Sequence, residues 1–394
     1  MRMTGNTRVV HYLPDEKFTD FFVRLIRSCG GDDHHFVIDP SGSCGALRHA
    51  TREGASTVLD PTSAILPQTI DLVRRCETLV IHFMCGRARE LALAAPTSVT
   101  VFWSGWGADY YHLLPGGEEV LYGSVTRQIV RELDGKAATA RRSRFRRWAL
   151  RYGAAPAVRA IRRMEWNRVI SRVDLFSSPI QPEYELLRTG LGTRFRAGFC
   201  QLNYGSVEDT FSPTQALANE PTHILLGNSS HPIGNHLEAA SAIPEGARGA
   251  LTMLVPLSYG RVDYAETIEP MLQGLGFKRI DILSRFLPLP DYNAVTGRCG
   301  TAIFNAKRQH ALGNIGAALC RGARVFLDPV NPAFGFLRGL GASVESSAGN
   351  SDRFPTMSDS SLRSRAAANT RALNQCWGRE QVENNARSFL RLVS

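Results

Sequence analysis

Ser98-Val99-Thr100-Val101-Phe102-Trp103, followed at once by Ser104-Gly105-Trp106-Gly107-Ala108-Asp109-Tyr110-Tyr111, is the stretch on which the fold turns. Its first half is a β-branched and aromatic run, too short for a helix, of the kind that a strand covered on both faces requires. Two glycines then let the backbone turn tightly, and an aspartate stands directly after the strand.

The same pattern recurs in both directions. Arg8–Leu13, His35–Ile38, Thr78–Phe83 and Asp174–Ser177 read as strands on the near side. Beyond the middle of the chain they resume with His223–Leu226, Leu251–Val255, Arg279–Leu283, Thr301–Phe304 and Arg324–Leu327. Amphipathic segments alternate with them, among them Glu16–Ser28, Ile65–Arg75, Tyr264–Leu275 and His310–Cys320. Alternation of this kind predicts an α/β protein with parallel sheets. At 394 residues the chain has room for two such units. A polar stretch from Gly205 to Pro221 reads as the linker. The expected domains are residues 1–205 and 221–345, with a Ser-rich mobile loop at 346–361. Terminal helices within 362–394 pack either on the second domain or back on the first. No internal repeat is visible.

The net charge of +10 has one address. Between Arg141 and Arg172 lie eleven arginines and a single acid, Glu165, so this segment carries the whole excess. It implies an anionic partner: lipid headgroups, a diphosphate or nucleic acid. Trp148, Tyr152, Met164 and Trp166 interleave with the arginines as in a helix lying on an anionic membrane surface, and Gly153 and Pro156 predict two short helices. Arg144, Arg146, Arg147, Trp148, Arg151, Arg162 and Arg163 are its candidate contacts. No apolar run is long enough to span a bilayer. Asp15, Glu16 and Lys17 interrupt any secretory core, so a cytoplasmic location is expected. Eight cysteines without zinc-finger spacing read as reduced, mostly buried thiols.

There is no G-x-G-x-x-G, P-loop, H-E-x-x-H, G-x-S-x-G or D-x-D in the chain. A dinucleotide site and a metal-chelating nucleotide-sugar motif are therefore not expected. Ligands of open α/β sheets bind outside the carboxyl ends of strands, and the candidate residues stand there. Asp109 is either a general base or a helix cap. His82 is either a base or a hydrogen-bonded structural residue. Gly227-Asn228-Ser229-Ser230 ahead of Asn235 suits an oxygen-rich anion at a helix start, though it is also a common turn. Tyr259 offers an aromatic face. Lys307, Arg308, Gln309 and Asn314 would hold a diphosphate or line a solvated loop.

Taken together, Phe102-Trp103 with Trp106-Gly107-Ala108-Asp109, Ile224–Ser229 with Asn235-His236, Pro256 with Tyr259, Arg308-Gln309 with Gly313, and Asn331-Pro332 resemble the TDP-N-acetylfucosamine:lipid II N-acetylfucosaminyltransferases. These 4-alpha-L-fucosyltransferase-like enzymes act in enterobacterial common antigen assembly. The resemblance implies a GT-B architecture: two Rossmann-like domains with parallel sheets facing across a cleft, the second holding the donor. It implies metal-independent transfer of a deoxyamino sugar from a TDP-sugar to a polyprenyl-diphosphate-linked acceptor, without a cofactor, by a peripheral protein on the cytoplasmic side of the inner membrane. Asp109, with His82 in reserve, would activate the acceptor. Where the family continues Arg-Gln with a second glutamine and a glycine, this chain has His310 and Ala311. The other readings left open are a nucleotide-sugar transferase acting on a protein or soluble glycan, a basic nucleic-acid-binding protein, and an inactive GT-B scaffold.

Overall fold

The structure, a computed structural model, describes residues 8–393 apart from 41–46, 48, 52–54, 60–66, 141–153, 212–216, 219 and 349–358. Its described strands form two sheets, and every pair in both is parallel. In the first, β1 (Val9–Pro14), β2 (His35–Asp39), β3 (Thr57–Val58), β4 (Thr78–His82), β5 (Thr100–Ser104), β6 (Leu175–Ser177) and β7 (Gly198–Phe199) lie in the order β3-β2-β1-β4-β5-β6-β7. In the second, β8 (Glu220–Leu226), β9 (Thr252–Pro256), β10 (Arg279–Leu283), β11 (Cys299–Phe304), β12 (Arg324–Leu327) and β13 (Val344–Ser346) lie in the order β10-β9-β8-β11-β12-β13. Parallel neighbours need crossovers, and helices supply most of them. That is why β4 and β11 are buried along their whole length and read as short, mostly apolar runs. The strand order reverses once in each sheet, between β1 and β4 in the first and between β8 and β11 in the second. Those are the switch points at which α/β sheets bind ligands.

The chain divides into two compact units. One comprises Met1–Pro115, Arg147–Ser206 and Arg379–Ser394; the other comprises Gly116–Arg146 and Val207–Gly378. The second unit thus contains a segment that the sequence boundaries assign to residues 1–205. Its helix Ser124–Ala140 escapes the sequence reading, yet Ile129 and Leu133 pack onto the core formed by Leu226, Met253, Val255, Tyr264 and Phe326. The two terminal helices part company. Asp359–Trp377 belongs to the second unit, whereas Arg379–Val393 completes the first unit's core through Val382, Ala386, Phe389 and Leu390. Phe389 is fully buried edge-on to Phe102, and truncating such a side chain to alanine costs about 3–5 kcal/mol.

Other boundaries shift in instructive ways. The expected linker ends early, because β8 already begins at Glu220. Phe211 packs against Trp377 and lies so close under Gly316 that a Cβ there would meet its ring at 2.7 Å. The two-residue strands β3 and β7 and the short β13 are too brief to leave a periodic signal. Most of the expected mobile loop falls outside the described residues, but Val344–Ser346 is a strand and a helix resumes at Asp359. The helix Ala154–Arg172 is continuous across Pro156, a residue tolerated in a first turn. The rest of the basic segment, residues 141–153, lies outside the described residues.

Candidate functional site

The second unit gathers the expected donor residues around its switch point. β8 ends at Leu226, and Gly227 follows with φ +67°. A Cβ on Gly227 would meet His236 Nε2 at 2.8 Å, so this position needs glycine for both conformation and space. The turn then runs beside the loop after β9. Ser230 N and Oγ both donate to Tyr259 O, at 2.8 and 2.9 Å, and Asn228 Nδ2 donates to Tyr259 Oη at 2.7 Å. Held in this way, Tyr259 is 41% exposed and offers a ring face to solvent.

From the other side of the switch point comes the loop after β11. Arg308 is buried and donates to Gln309 O at 2.8 Å. Asn331, which caps the helix Pro332–Gly339, also pins this loop, donating to Ala306 O at 2.8 Å and Arg308 O at 2.7 Å. Lys307 Nζ lies 3.3 Å from Tyr122 O, and Asn314 is half-buried in the first turn of the helix Leu312–Cys320. Two buried polar atoms stand out. Ser229 Oγ and Gln309 Oε1 have no hydrogen-bond partner among the described residues, although Ser229 is 2% and Gln309 6% exposed. An orphaned buried polar group costs about 1–3 kcal/mol, and groups left so in native folds commonly await a ligand or water.

Among the expected donor residues, Asn235 commits its side chain to bonds within the unit. Its Nδ2 donates to Leu121 O, Ile233 O and Asn305 O at 3.0, 3.1 and 3.1 Å, and its Oδ1 accepts from Gly123 N at 2.7 Å. It ties the segment that precedes Ser124–Ala140 to the switch point. The helix behind it, His236–Ser241, has only six residues and contributes little dipole. Around these loops stand three histidines, of which the sequence singled out His236 and His310 but not His231. His231 meets Tyr259 and His310 edge-on, with ring centroids 6.4 and 6.1 Å apart, and buried His236 lies 3.5 Å from Tyr264 Oη. Burial and the Arg308 cation push His310 well below the ordinary imidazole range, and burial takes His236 down to about 4; His231 is exposed. The positive backbone of Ala311, φ +61°, carries the chain from His310 into its helix.

The first unit holds both catalytic candidates in its interior. Asp109 is 3% exposed and every short bond it makes is structural. Oδ2 accepts from Met84 N at 2.9 Å and Trp103 Nε1 at 2.8 Å, and Oδ1 accepts from Trp106 N at 2.8 Å. It caps no helix; it clamps together the loops after β4 and β5. Burial raises its carboxyl above the usual range against the pull of those three donors. His82 is fully buried within a line of imidazoles that the sequence reading missed. His34 Nδ1 lies 2.8 Å from His11 Nε2, and His11 Nδ1 lies 3.0 Å from His82 Nε2. His82 Nδ1 bonds Tyr204 Oη, which donates to Ser104 Oγ at 2.8 Å. Both nitrogens are committed, and burial lowers the ring to about 3. The available signal was a histidine, His11, in the middle of the apolar run Val9-Val10-His11-Tyr12.

Of the expected membrane contacts, Arg144, Arg146, Arg147, Trp148 and Arg151 lie outside the described residues. Arg162 and Arg163 are exposed, beside Ile161 and Met164 at 65% and 66% exposure. Trp166 instead faces inward, with the Arg89 guanidinium 4.8 Å from its ring centre. Among the described residues no His, Cys, Asp and Glu side chains converge as a metal-ligand set, and no helix is long and apolar enough to cross a membrane.

Two parallel sheets of Rossmann-like order in one chain define the GT-B fold of glycosyltransferases. Solved structures similar over their whole length include a glycosyltransferase from Rickettsia africae, at TM-score 0.61 and 10% identity, covering 99% of this chain and 98% of that one. Sucrose-phosphate synthase from Thermosynechococcus elongatus gives TM-score 0.60 at 11% identity, with 98% and 99% covered. Anabaena HepE, solved with UDP and glucose, gives 0.59 at 11% identity, with 98% and 100% covered. No protein-family model matches the chain, and no curated protein matches it in sequence.

Proposed function

We propose that this protein is a glycosyltransferase whose second unit binds the diphosphate of a nucleotide sugar at the β8–β11 switch point. The observation that carries this reading is the pair of orphaned atoms, Ser229 Oγ and Gln309 Oε1, set in the loops that flank buried Arg308. A diphosphate supplies acceptor oxygens for the hydroxyl and the cation, and a sugar hydroxyl supplies a donor for the amide oxygen. HepE, similar in fold, is solved with UDP-glucose.

During transfer the bond from the anomeric carbon to the diphosphate breaks, and its electron pair stays on the diphosphate. The acceptor oxygen forms the new bond and gives up its proton. Arg308 stabilises the departing charge, and one preorganised donor of this kind is worth about 3 kcal/mol. Asp109 acts at a distance by fixing the loops after β4 and β5. The finer reading rests on the residue resemblance: a TDP-linked deoxyamino sugar as donor and a polyprenyl-diphosphate saccharide as acceptor. The basic segment supports the lipid part, since an acceptor of that kind lies at an anionic membrane surface.

The test is titration of the full chain with TDP, UDP and GDP, with and without magnesium, and with duplex DNA alongside. Micromolar, TDP-selective binding that weakens about tenfold or more in Arg308→Ala is expected. Salt-sensitive DNA binding with no nucleotide binding would replace the transferase with a nucleic-acid protein.

A further inference from the structure

We propose that the open edge strand β10 pairs with β10 of a second copy of this chain, antiparallel about a two-fold axis at Ile280, so that the second unit's sheet continues across a dimer. β10 lies at the edge of that sheet and the donor site at its β8–β11 centre, so each stands or fails without the other.

Sheet edges differ in what they offer a partner. Three of the four edge strands, β3, β7 and β13, are only two or three residues long. Strands that short are poor templates for a further strand. β10 has five residues and no proline, and among the described residues β9 is its one strand neighbour. Leu283 O accepts from Leu257 N at 2.9 Å, on the β9 side. Backbone groups alternate sides along a strand, so the N–H and C=O of Ile280 and Ile282 point to the open edge. There the Gln273 side chain reaches Ile280 O at 3.5 Å, a long bond that a strand would replace.

The side chains of β10 select the partner. Ile280 and Ile282 pack against the core of the second unit. Arg279 and Asp281 therefore stand on the opposite face. They are joined at 2.6 Å, and their side chains are 70% and 35% exposed. An edge charged with one sign would repel a copy of itself. This edge alternates, and its alternation matches one register. Centred on Ile280, the pair sets Arg279 across from Asp281 of the second copy, and Asp281 across from its Arg279. Centring on Asp281 would set two carboxylates face to face, and centring on Ile282 would set Arg279 against Arg285. The Ile280 centre also fits the backbone. Its outward groups make a hydrogen-bonded pair, which leaves Arg279 and Asp281 at the positions where side chains approach most closely. A two-fold contact requires this reciprocal matching of one surface with itself. Phe286 and Leu289, 67% and 60% exposed just beyond the strand, add apolar surface at each end of the pair.

The sheet has no second edge of this length, so assembly stops at two copies. The experiment is sedimentation equilibrium of the full chain from about 1 to 100 µM, the range in which a contact of modest size shows itself. Wild type should reach the dimer within it. Arg279→Asp sets carboxylate against carboxylate at both pairs, and Asp281→Arg sets guanidinium against guanidinium. Each change should weaken the dimer about tenfold or more. Both changes in one chain exchange the charges and should restore it. An equimolar mixture of the two single variants should form a mixed dimer, because each then faces its opposite. A monomer at every concentration overturns the pairing. A dimer that both single variants leave intact also overturns it, by placing the contact elsewhere, and so does assembly that grows beyond two. TDP titration of the same variants should match wild type; absence of TDP binding in all of them counts against the donor site and leaves the dimer standing.

Discussion

At Asp109 the sequence offered a base or a cap, and side-chain geometry decides for neither. A buried carboxylate that accepts from Met84 N, Trp103 Nε1 and Trp106 N is turned to the fold's own donors. Its replacement tests that reading directly. Asp109→Asn keeps the shape but sets an NH2 group against one of the N–H donors, which loses its acceptor. The expected cost is about 2–3 kcal/mol of stability in the first unit, with TDP affinity unchanged, measured by denaturant unfolding and calorimetry. Unchanged stability with turnover abolished would return Asp109 to the role of base. The residue type and its place after a strand were legible; its partners were not. Two of its three donors, Met84 and Trp103, lie on β5 and the loop after β4, and only the parallel pairing of β4 with β5 brings them together.

Among elements, the buried strands were the most legible, because both faces are covered and the apolar run is unbroken. Arg324–Leu327, buried throughout, begins and ends where the sequence puts it, and so does the half-exposed edge strand Arg279–Leu283, whose signal is alternation instead. What stayed hidden was the polar traffic between strands. The line His34–His11–His82–Tyr204 joins the residue before β2 to β1, to β4 and to the loop after β7, so no local window contains it. It also sets the first unit's response to acid. His82 titrates at about 3 in the fold against about 6.5 in an unfolded chain, and His11 and His34 are lowered too, by burial first. A lowered folded value means that the unfolded chain takes up the proton first. Stability is therefore whole above about pH 6.5 and drains away as pH falls toward 3. At pH 5 His82 alone accounts for about 2 kcal/mol. Unfolding followed by Trp103 and Trp106 fluorescence at pH 7.5 and pH 5 should show the loss. A midpoint that does not move would mean the imidazoles are charged inside the fold.

For the whole molecule, two sheets share the strand order of a Rossmann-like half, yet the sequence shows no repeat. Parallel pairing and two-sided burial constrain residue class and length, not identity, so each sheet meets the same topology with different side chains. The domain boundaries were legible only where the chain stays with its neighbours. Gly116–Arg146 and Arg379–Ser394 each join the unit that the linear order would deny them, through Ile129 in one case and Phe389 in the other. The net charge, by contrast, is a whole-molecule property that the sequence localises without a structure. Arg162 and Arg163 stand exposed beside Ile161 and Met164 on the helix Ala154–Arg172, a combination suited to the headgroup layer of an anionic bilayer. Each arginine near such a surface is worth about 1 kcal/mol. Reversing both, in Arg162→Glu with Arg163→Glu, should therefore weaken binding to phosphatidylserine-containing liposomes at least about tenfold. TDP affinity should stay at the wild-type value, because the proposed nucleotide contacts belong to the second unit and the helix to the first. Flotation at low and physiological salt reads the first effect, and calorimetry the second. Equal flotation of wild type and double variant would move the membrane contact off this helix. A parallel loss of TDP binding would mean that the arginines serve the nucleotide rather than the lipid.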